Sequence, residues 1–170
     1  MGEQLPEYTK FPPFYTVQPI DRTREYQMEL WGQVVTQFCE RRSISVVTLA
    51  DFLSLGIFKN EEINRKLSED GIKLVFDYMQ RKKQIQQLGQ SSKYFVAFKS
   101  IVDWANDLLD YGTTYGLSGS STTFFSLQNE DTSVFYKCDT TLLLAVCEVL
   151  KSKGKIKLAE KNGSYGILWK

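Results

Sequence analysis

Two stretches of the chain repeat apolar residues at helical spacing, and each predicts an amphipathic helix. Between Thr23 and Arg42 a large side chain recurs every fourth residue, which gives one broad apolar stripe. Its members are Tyr26, Leu30, Val34 and Phe38. A second stripe follows position 100 and ends at a glycine-rich segment. Its members are Ile101, Trp104, Ala105, Leu108 and Tyr111.

Shorter elements follow the first predicted helix. Ser43–Leu49 is rich in valine, isoleucine and threonine, which favours a strand. Residues 60–67 predict a short helix, and Ser68 is the predicted N-cap of the next one. Gln84–Leu88 and Tyr94–Phe98 flank a polar turn and therefore predict a β-hairpin.

The second half repeats this order. Thr122–Leu127 predicts a strand, and Asp139 is the predicted N-cap of a helix over 139–153. Lys155–Glu160 and Tyr165–Trp169 flank an Asn-Gly pair, which is a strong hairpin signal. The helix, strand, helix, helix, hairpin order occurs twice, so the sequence predicts an internal repeat.

The spacing of the repeat is about 70 residues. The two proposed caps, Ser68 and Asp139, are 71 residues apart. The last strand of each half has three alternating apolar residues, and those of the first half also precede those of the second by 71 residues. The order is typical of a winged helix, a helix-turn-helix relative with a β-hairpin wing. We predict an α+β protein with a first winged helix over 21–99 and a second over 100–170. Because almost no linker separates them, we expect the two domains to be packed closely.

Residues 1–20 contain all four prolines of the chain, with aromatic residues between them. Proline disfavours helix and favours extended or polyproline II backbone, so this segment predicts an extended proline-aromatic N-terminal arm. The arm contains a PPxY motif, Pro12 to Tyr15, preceded by Phe11. Its prolines restrict the unbound backbone and its aromatic rings offer apolar contact area, so we predict that it docks onto partner proteins.

Composition excludes several classes of function. Lysine and arginine number 21 against 20 acidic residues, for a formal charge of +1, which gives no general attraction to nucleic acid or anionic membrane. Histidine is absent, and the three cysteines form no CxxC pair. Without phosphate-binding loops or nucleophile motifs, we predict no catalytic residue, no cofactor and no metal site.

Nucleic-acid binding is the first alternative, because many winged helices bind DNA. The recognition-helix candidate after Ser68 begins with Glu69 and Asp70, and its basic residues lie at its C-terminal end. The candidate over 140–153 is almost wholly apolar, which suits a core or a partner helix better than a DNA groove. Leu144 falls on the side opposite its apolar face. Two further alternatives concern the arm, which could serve as a WW-domain ligand or fold back on its own domain.

The N-terminal block identifies a family by resemblance. Phe11–Pro19, then Thr23-Arg24, a helix with Trp31 and Phe38-Cys39, and later Phe58-Lys59-Asn60 and Trp104 resemble the smallest, tandem winged-helix vacuolar protein sorting subunit of the endosomal ESCRT-II complex. The resemblance covers essentially the whole chain. The N-terminal block carries most of its specificity, and the rest matches mainly in layout.

The resemblance implies a non-enzymatic assembly subunit. ESCRT-II would hold two copies of this chain with one copy each of two larger winged-helix subunits, and no nucleic acid would take part. The arm would dock each copy onto a larger subunit. The docking residues would be Pro6, Tyr8, Phe11, Pro12, Pro13, Phe14 and Tyr15.

The resemblance also implies a role for the second winged helix. It would bind a helix of an ESCRT-III subunit and so activate ESCRT-III during sorting of ubiquitinated cargo into multivesicular bodies. The predicted contact residues are Phe124, Leu127 and Leu144. The protein would be cytoplasmic and would reach the endosomal membrane through its partners.

Overall fold

The computed structural model describes residues 4–170, so the first three residues of the predicted arm lie outside the described residues. The chain divides into two compact units. The first unit consists of Met1–Gln87 and Ser91–Phe98, and the second of Leu88–Gln90 and Lys99–Lys170.

The first unit is a three-stranded antiparallel sheet with three α-helices. The sheet order is β1-β5-β4, with Val47 opposite Tyr94 and Ile85 opposite Val96. A small ribbon of β2 and β3 lies between the second and third helices along the chain. The elements are α1 (Asp21–Arg41), β1 (Val46–Thr48), α2 (Leu49–Leu53), a 3-10 turn (Gly56–Phe58), β2 (Lys59–Asn60), β3 (Arg65–Lys66), α3 (Glu69–Arg81), β4 (Ile85–Gln87) and β5 (Lys93–Val96).

The second unit has the same order of elements. Its sheet order is β6-β8-β7, with Thr122 opposite Ile167 and Ile156 opposite Trp169. The elements are α4 (Ile101–Thr114), β6 (Ser121–Thr123), α5 (Phe124–Asn129), α6 (Thr140–Ser152), β7 (Ile156–Lys161) and β8 (Ser164–Trp169). The α+β class and the repeated winged-helix order are therefore confirmed.

Matching helix ends fix the correspondence between the units. After α1, Ser43 has φ 55° and its N–H bonds to the carbonyl of Glu40, while after α4, Gly116 has φ 61° and bonds to Thr113. The next N–H in each case bonds five residues back, which completes a Schellman cap. After α3 and α6, Lys83 and Gly154 make the same cap, and they are 71 residues apart in the sequence.

Most predicted helix and hairpin signals are confirmed. The Ser68 hydroxyl accepts the N–H of Gly71 at 3.1 Å, and the Asp139 carboxylate accepts that of Thr141 at 2.8 Å. The turn between β7 and β8 has Asn162 and Gly163 at positive φ, as the Asn-Gly pair predicts.

Two of the predicted elements are wrong. Residues 60–67 form no helix: Asn60 and Arg65 pair across the β2–β3 ribbon. The predicted strand Thr122–Leu127 ends at Thr123, whose hydroxyl accepts the N–H of Ser126 at 3.0 Å and starts α5. The threonine side chain satisfies a helix donor locally, and this outweighs the β propensity of the aromatic residues after it.

The predicted extended arm is also corrected. Within residues 4–20, Glu7–Lys10 and Pro12–Tyr15 form 3-10 turns, and Phe14 and Tyr15 are buried in the core of the first unit. Proline fits the first positions of such a turn because it has no N–H to satisfy there. Within the described residues, none of the helices has the length and apolar character needed to cross a lipid bilayer.

Candidate functional site

The proline-aromatic segment is built around the indole ring of Trp31 on α1. Phe14 stacks on that ring with centroids 4.2 Å apart and an interplanar angle of 14°, and Tyr15 meets it edge-on at 5.4 Å. Tyr8 packs edge-on against Phe14 at 5.2 Å, and Phe58 packs on Trp31 from the 3-10 turn. The segment therefore completes an aromatic cluster of the first unit.

Hydrogen bonds from α1 hold the backbone of this segment. The Trp31 Nε1–H donates to the carbonyl of Phe14 at 3.1 Å. The Gln27 amide donates to the carbonyls of Phe14 and Thr16 at 3.0 and 2.8 Å, and its oxygen accepts the N–H of Gln18 at 3.1 Å. Gln27 is only 5% exposed, so these bonds satisfy a buried amide and fix the path of the chain.

A second polar contact fixes the earlier turn. The Tyr15 hydroxyl donates to the carbonyl of Thr9 at 2.8 Å, and the Asn60 side chain donates to the same carbonyl at 3.0 Å. Burial raises the pKa of Tyr15 above its ordinary value, so its hydroxyl keeps its proton and its role as donor. The segment is thus tied to the β2–β3 ribbon as well as to α1.

The predicted docking residues separate into three groups by exposure. Phe14 and Tyr15 are buried, and Pro6 and Tyr8 are half-buried. Phe11, with 61% of its side chain exposed, and the adjacent Pro12 and Pro13 form an exposed edge. We name Phe11–Pro13 the exposed edge. Phe14 and Tyr15 lie in the core of the first unit and support this edge, and their own docking role stays a prediction.

Gln27 and Thr9 are parts of this site that were not predicted from the sequence. Gln27 lies four residues before Trp31, on the same side of the helix as the apolar stripe. A polar residue at such a position is a signal for a buried hydrogen-bond partner, and it was available in the sequence. Thr9 gave no comparable signal, because its carbonyl rather than its side chain receives the contacts.

The predicted contact residues of the second unit are mostly internal. Phe124 and Leu127 are buried, and Phe124 stacks on Tyr165 with centroids 5.3 Å apart. The helical turn that starts at Thr123 directs them into the core, and their contact role stays a prediction. Leu144 is half-buried, whereas Phe125, which the sequence analysis missed, is 74% exposed.

The titratable groups of the described residues offer little chemistry. Burial raises the pKa of each thiol, Cys39, Cys138 and Cys147, to about 12, so these cysteines stay protonated and unreactive at neutral pH. Within residues 4–170, no group of three or more histidine, cysteine or acidic side chains is placed to hold a metal ion.

The helices that would read DNA are poorly equipped for it. On α6 the apolar residues Leu142, Leu143, Val146, Cys147 and Leu150 are buried. On α3 the first turn carries Glu69 and Asp70, and Arg81 in the last turn pairs with Glu25 at 2.8 Å. Neither helix presents a row of exposed basic side chains to a groove.

Comparison with known proteins gives consistent matches over the chain. A family model described as ESCRT-II complex subunit matches residues 8–140. Vacuolar protein-sorting-associated protein 25 of Xenopus laevis is 25% identical over 171 residues, covering 98% of this chain and 98% of that protein. The Homo sapiens protein of the same name is 26% identical and covers 98% and 97%.

Solved structures agree with these matches. The crystal structure of subunit VPS25 of the endosomal trafficking complex ESCRT-II is similar with a TM-score of 0.81 and 24% identity, over 98% of both chains. A chain in the crystal structure of the endosomal complex ESCRT-II (VPS22/VPS25/VPS36) gives the same TM-score over 98% of this chain and 100% of its own. At this identity the likeness establishes the fold.

Proposed function

Because the chain belongs to the family of ESCRT-II complex subunits, we propose that it acts as the smallest, tandem winged-helix subunit of that complex. It is a scaffold rather than an enzyme. It assembles partner proteins for the sorting of ubiquitinated cargo into multivesicular bodies. It acts in the cytoplasm and reaches the endosomal membrane through those partners.

Its first partners are the two larger ESCRT-II subunits, with two copies of this chain per complex. Support comes from relatives of nearly equal length, and from the solved complex of VPS22, VPS25 and VPS36 that contains a chain of this fold. Since identity to that chain is 24%, the partners are carried over by family membership and not by residue matches at an interface.

The docking proposal rests on the exposed edge, which is held in place by the buried residues that follow it. Phe11 is 61% exposed beside two exposed prolines, while the next two residues are locked against Trp31. Proline turns and a packed base reduce the conformational entropy that docking would otherwise cost. An exposed aromatic ring on such a base is typical of an interface anchor.

The second proposed contact uses exposed apolar side chains of the second unit. Phe125 is the most exposed large apolar side chain among the described residues, and Leu144 is half-buried on α6. We assign the binding of an ESCRT-III helix to Phe125, with Leu144 as a second contact. An apolar side chain of this kind suits a helix docked by its apolar face.

The WW-domain alternative is less compatible with the geometry. The tyrosine of the PPxY motif is 5% exposed and its hydroxyl is bonded to Thr9, so a WW domain would first have to pull it out of the core. That step would cost the burial of a tyrosine and its hydrogen bond. The nucleic-acid alternative lacks a basic recognition helix.

One co-purification experiment separates the two proposed contacts. The full chain is co-expressed with tagged larger subunits from the same source, and the native mass and the capture of an ESCRT-III subunit are measured. We expect Phe11→Ala with Pro12→Ala and Pro13→Ala to weaken assembly by about thirtyfold or more, since an aromatic anchor commonly contributes about 2 kcal/mol. We expect Phe125→Asp to leave assembly intact and to abolish ESCRT-III capture.

Leu74→Ala, at an exposed apolar position of α3, is the matched control and should change neither readout. Circular dichroism checks that the triple variant stays folded, which its exposed positions favour. Full assembly of the triple variant would contradict the docking proposal. A wild-type chain that forms no complex with the larger subunits would overturn the proposed function itself.

A further inference from the structure

The helices α1 and α4 correspond residue by residue, but one face of them differs. Counted back from their matching caps, Val34 corresponds to Asp107 and Phe38 to Tyr111. The cap residues themselves are Arg42 and Tyr115. A buried apolar face in the first unit is therefore replaced by carboxylate and phenol groups in the second.

In the first unit this face carries its own cation. The guanidinium of Arg42 lies 5.2 Å from the ring centroid of Phe38, four residues earlier. A cation over an aromatic ring is attracted by the negative face of the ring. In the second unit the same pair of positions holds Tyr115 and Tyr111, with centroids 4.7 Å apart. A second aromatic ring thus takes the place of the cation.

The altered face borders an open groove of about 250 Å³. Its lining residues are Asp107, Asp110, Tyr111, Thr114, Tyr115 and Val134. The Tyr115 and Val134 side chains are 54% and 53% exposed, so the groove offers an aromatic and an aliphatic surface to an incoming residue. Together they provide contact area for both the stem and the head of a long side chain.

The charge around the groove is negative. Asp107 and Asp110 line it, and Lys99 pairs with Asp107 while its ammonium lies 4.2 Å over the Trp104 ring. The Tyr111 hydroxyl donates to Glu130 at 3.0 Å, and hydrogen bonds from Ser126 and Tyr111 lower the pKa of Glu130, which keeps this carboxylate charged. The groove therefore favours a cationic occupant.

We propose that this groove binds a lysine or arginine side chain from a basic amphipathic segment of a partner protein. The cation lies against the Tyr115 ring and the Asp110 carboxylate, and a neighbouring apolar side chain of the segment contacts Val134. The occupant thus adds a cation to the Tyr111–Tyr115 pair, which stands where the first unit has Phe38 and Arg42. This inference uses the second unit alone and does not depend on the proposed ESCRT-II assembly.

The test uses the isotope-labelled full chain and two synthetic helical peptides. One peptide has leucines on one face flanked by lysine and arginine, and the other has glutamate at every basic position. We expect the basic peptide to bind, with NMR shift changes centred on the Val134 methyl groups and the Tyr115 ring. Asp110→Lys should weaken its binding by about tenfold and favour the acidic peptide.

The control is Asp77→Lys, which makes the same change of charge at an exposed site of α3 in the first unit. It should leave the affinity for the basic peptide unchanged. Equal weakening by both variants would reduce the effect to net charge and overturn the proposal. Absence of shifts at Val134 and Tyr115, or unchanged binding by Tyr115→Ala, would overturn it too, whatever the result of the co-purification.

Discussion

Two tryptophans occupy the same place in the two units but have different surroundings. Trp31 and Trp104 each lie ten residues before the last residue of their helix. Trp31 is fully buried under Phe14 and Tyr15 of the N-terminal segment. Trp104 is half-buried and is covered by the Lys99 ammonium and by the Phe135 ring at 5.7 Å.

The difference shows how one backbone frame produces two kinds of surface. In the first unit the proline-aromatic segment packs over α1, and the exposed edge lies on the outer side of this segment. The second unit has no such segment before α4, so that helix keeps carboxylates and tyrosines on the corresponding face. The proposed functions therefore depend on the side chains that cover the shared fold, and not on the fold itself.

The largest expected effect on stability comes from removing the side chains that pack over the two tryptophans. Phe14→Ala should lower the free energy of unfolding of the first unit by about 3 kcal/mol or more, because it removes a stacked buried ring. Lys99→Ala should cost less than about 1 kcal/mol, because it removes a partly exposed cation–π contact and ion pair. Urea unfolding followed by amide exchange in each unit measures both, and similar losses would contradict the comparison.

Alanine substitutions at Gly32 of α1 and Gly112 of α4 should change stability by smaller amounts, and the two effects should differ. A Cβ on Gly112 would lie 2.3 Å from a carbon of the buried Trp169 ring, so Gly112→Ala should destabilise the second unit by about 1–3 kcal/mol. A Cβ on Gly32 would meet the Gln84 amide oxygen at 2.7 Å.

That oxygen is buried without a hydrogen-bond partner, and it ends a flexible side chain that can move. Gly32→Ala should therefore be close to neutral, since the better helix propensity of alanine, about 1 kcal/mol, offsets the crowding. Thermal unfolding of both variants measures the contrast. A larger loss for Gly32→Ala than for Gly112→Ala would show that Trp169 adapts more easily than Gln84.

The smallest expected effect concerns the helix caps. Ser43 adopts φ 55° where the equivalent residue of the second unit is Gly116, and glycine pays no steric cost in that region. Ser43→Gly should stabilise the first unit by up to about 1 kcal/mol, and Gly116→Ser should destabilise the second by a similar amount. Unfolding midpoints in urea should shift in opposite directions, and shifts of the same sign would refute the equivalence of the caps.

Prediction from sequence succeeded where a single local signal, such as a helix cap or a turn residue, decides the structure. It failed where two local signals favour different structures. The caps at Ser68 and Asp139 and the Asn162-Gly163 turn are short-range hydrogen-bond and φ requirements, and all three are confirmed. The short helices after Thr48 and Thr123 were missed, although each threonine side chain caps its helix. Their apolar residues suited strands equally well, so the threonine signal was outweighed.

The sequence by itself determined the repeated winged-helix order, the proline-aromatic character of the first 20 residues and the absence of histidine chemistry. These follow from periodicity, turn residues and composition, which act over a few neighbouring positions. Tertiary structure alone decided that Phe14 and Tyr15 are internal while Phe11 is exposed. That outcome depends on Trp31 and Gln27, which lie more than ten positions away and meet the segment only once α1 has formed.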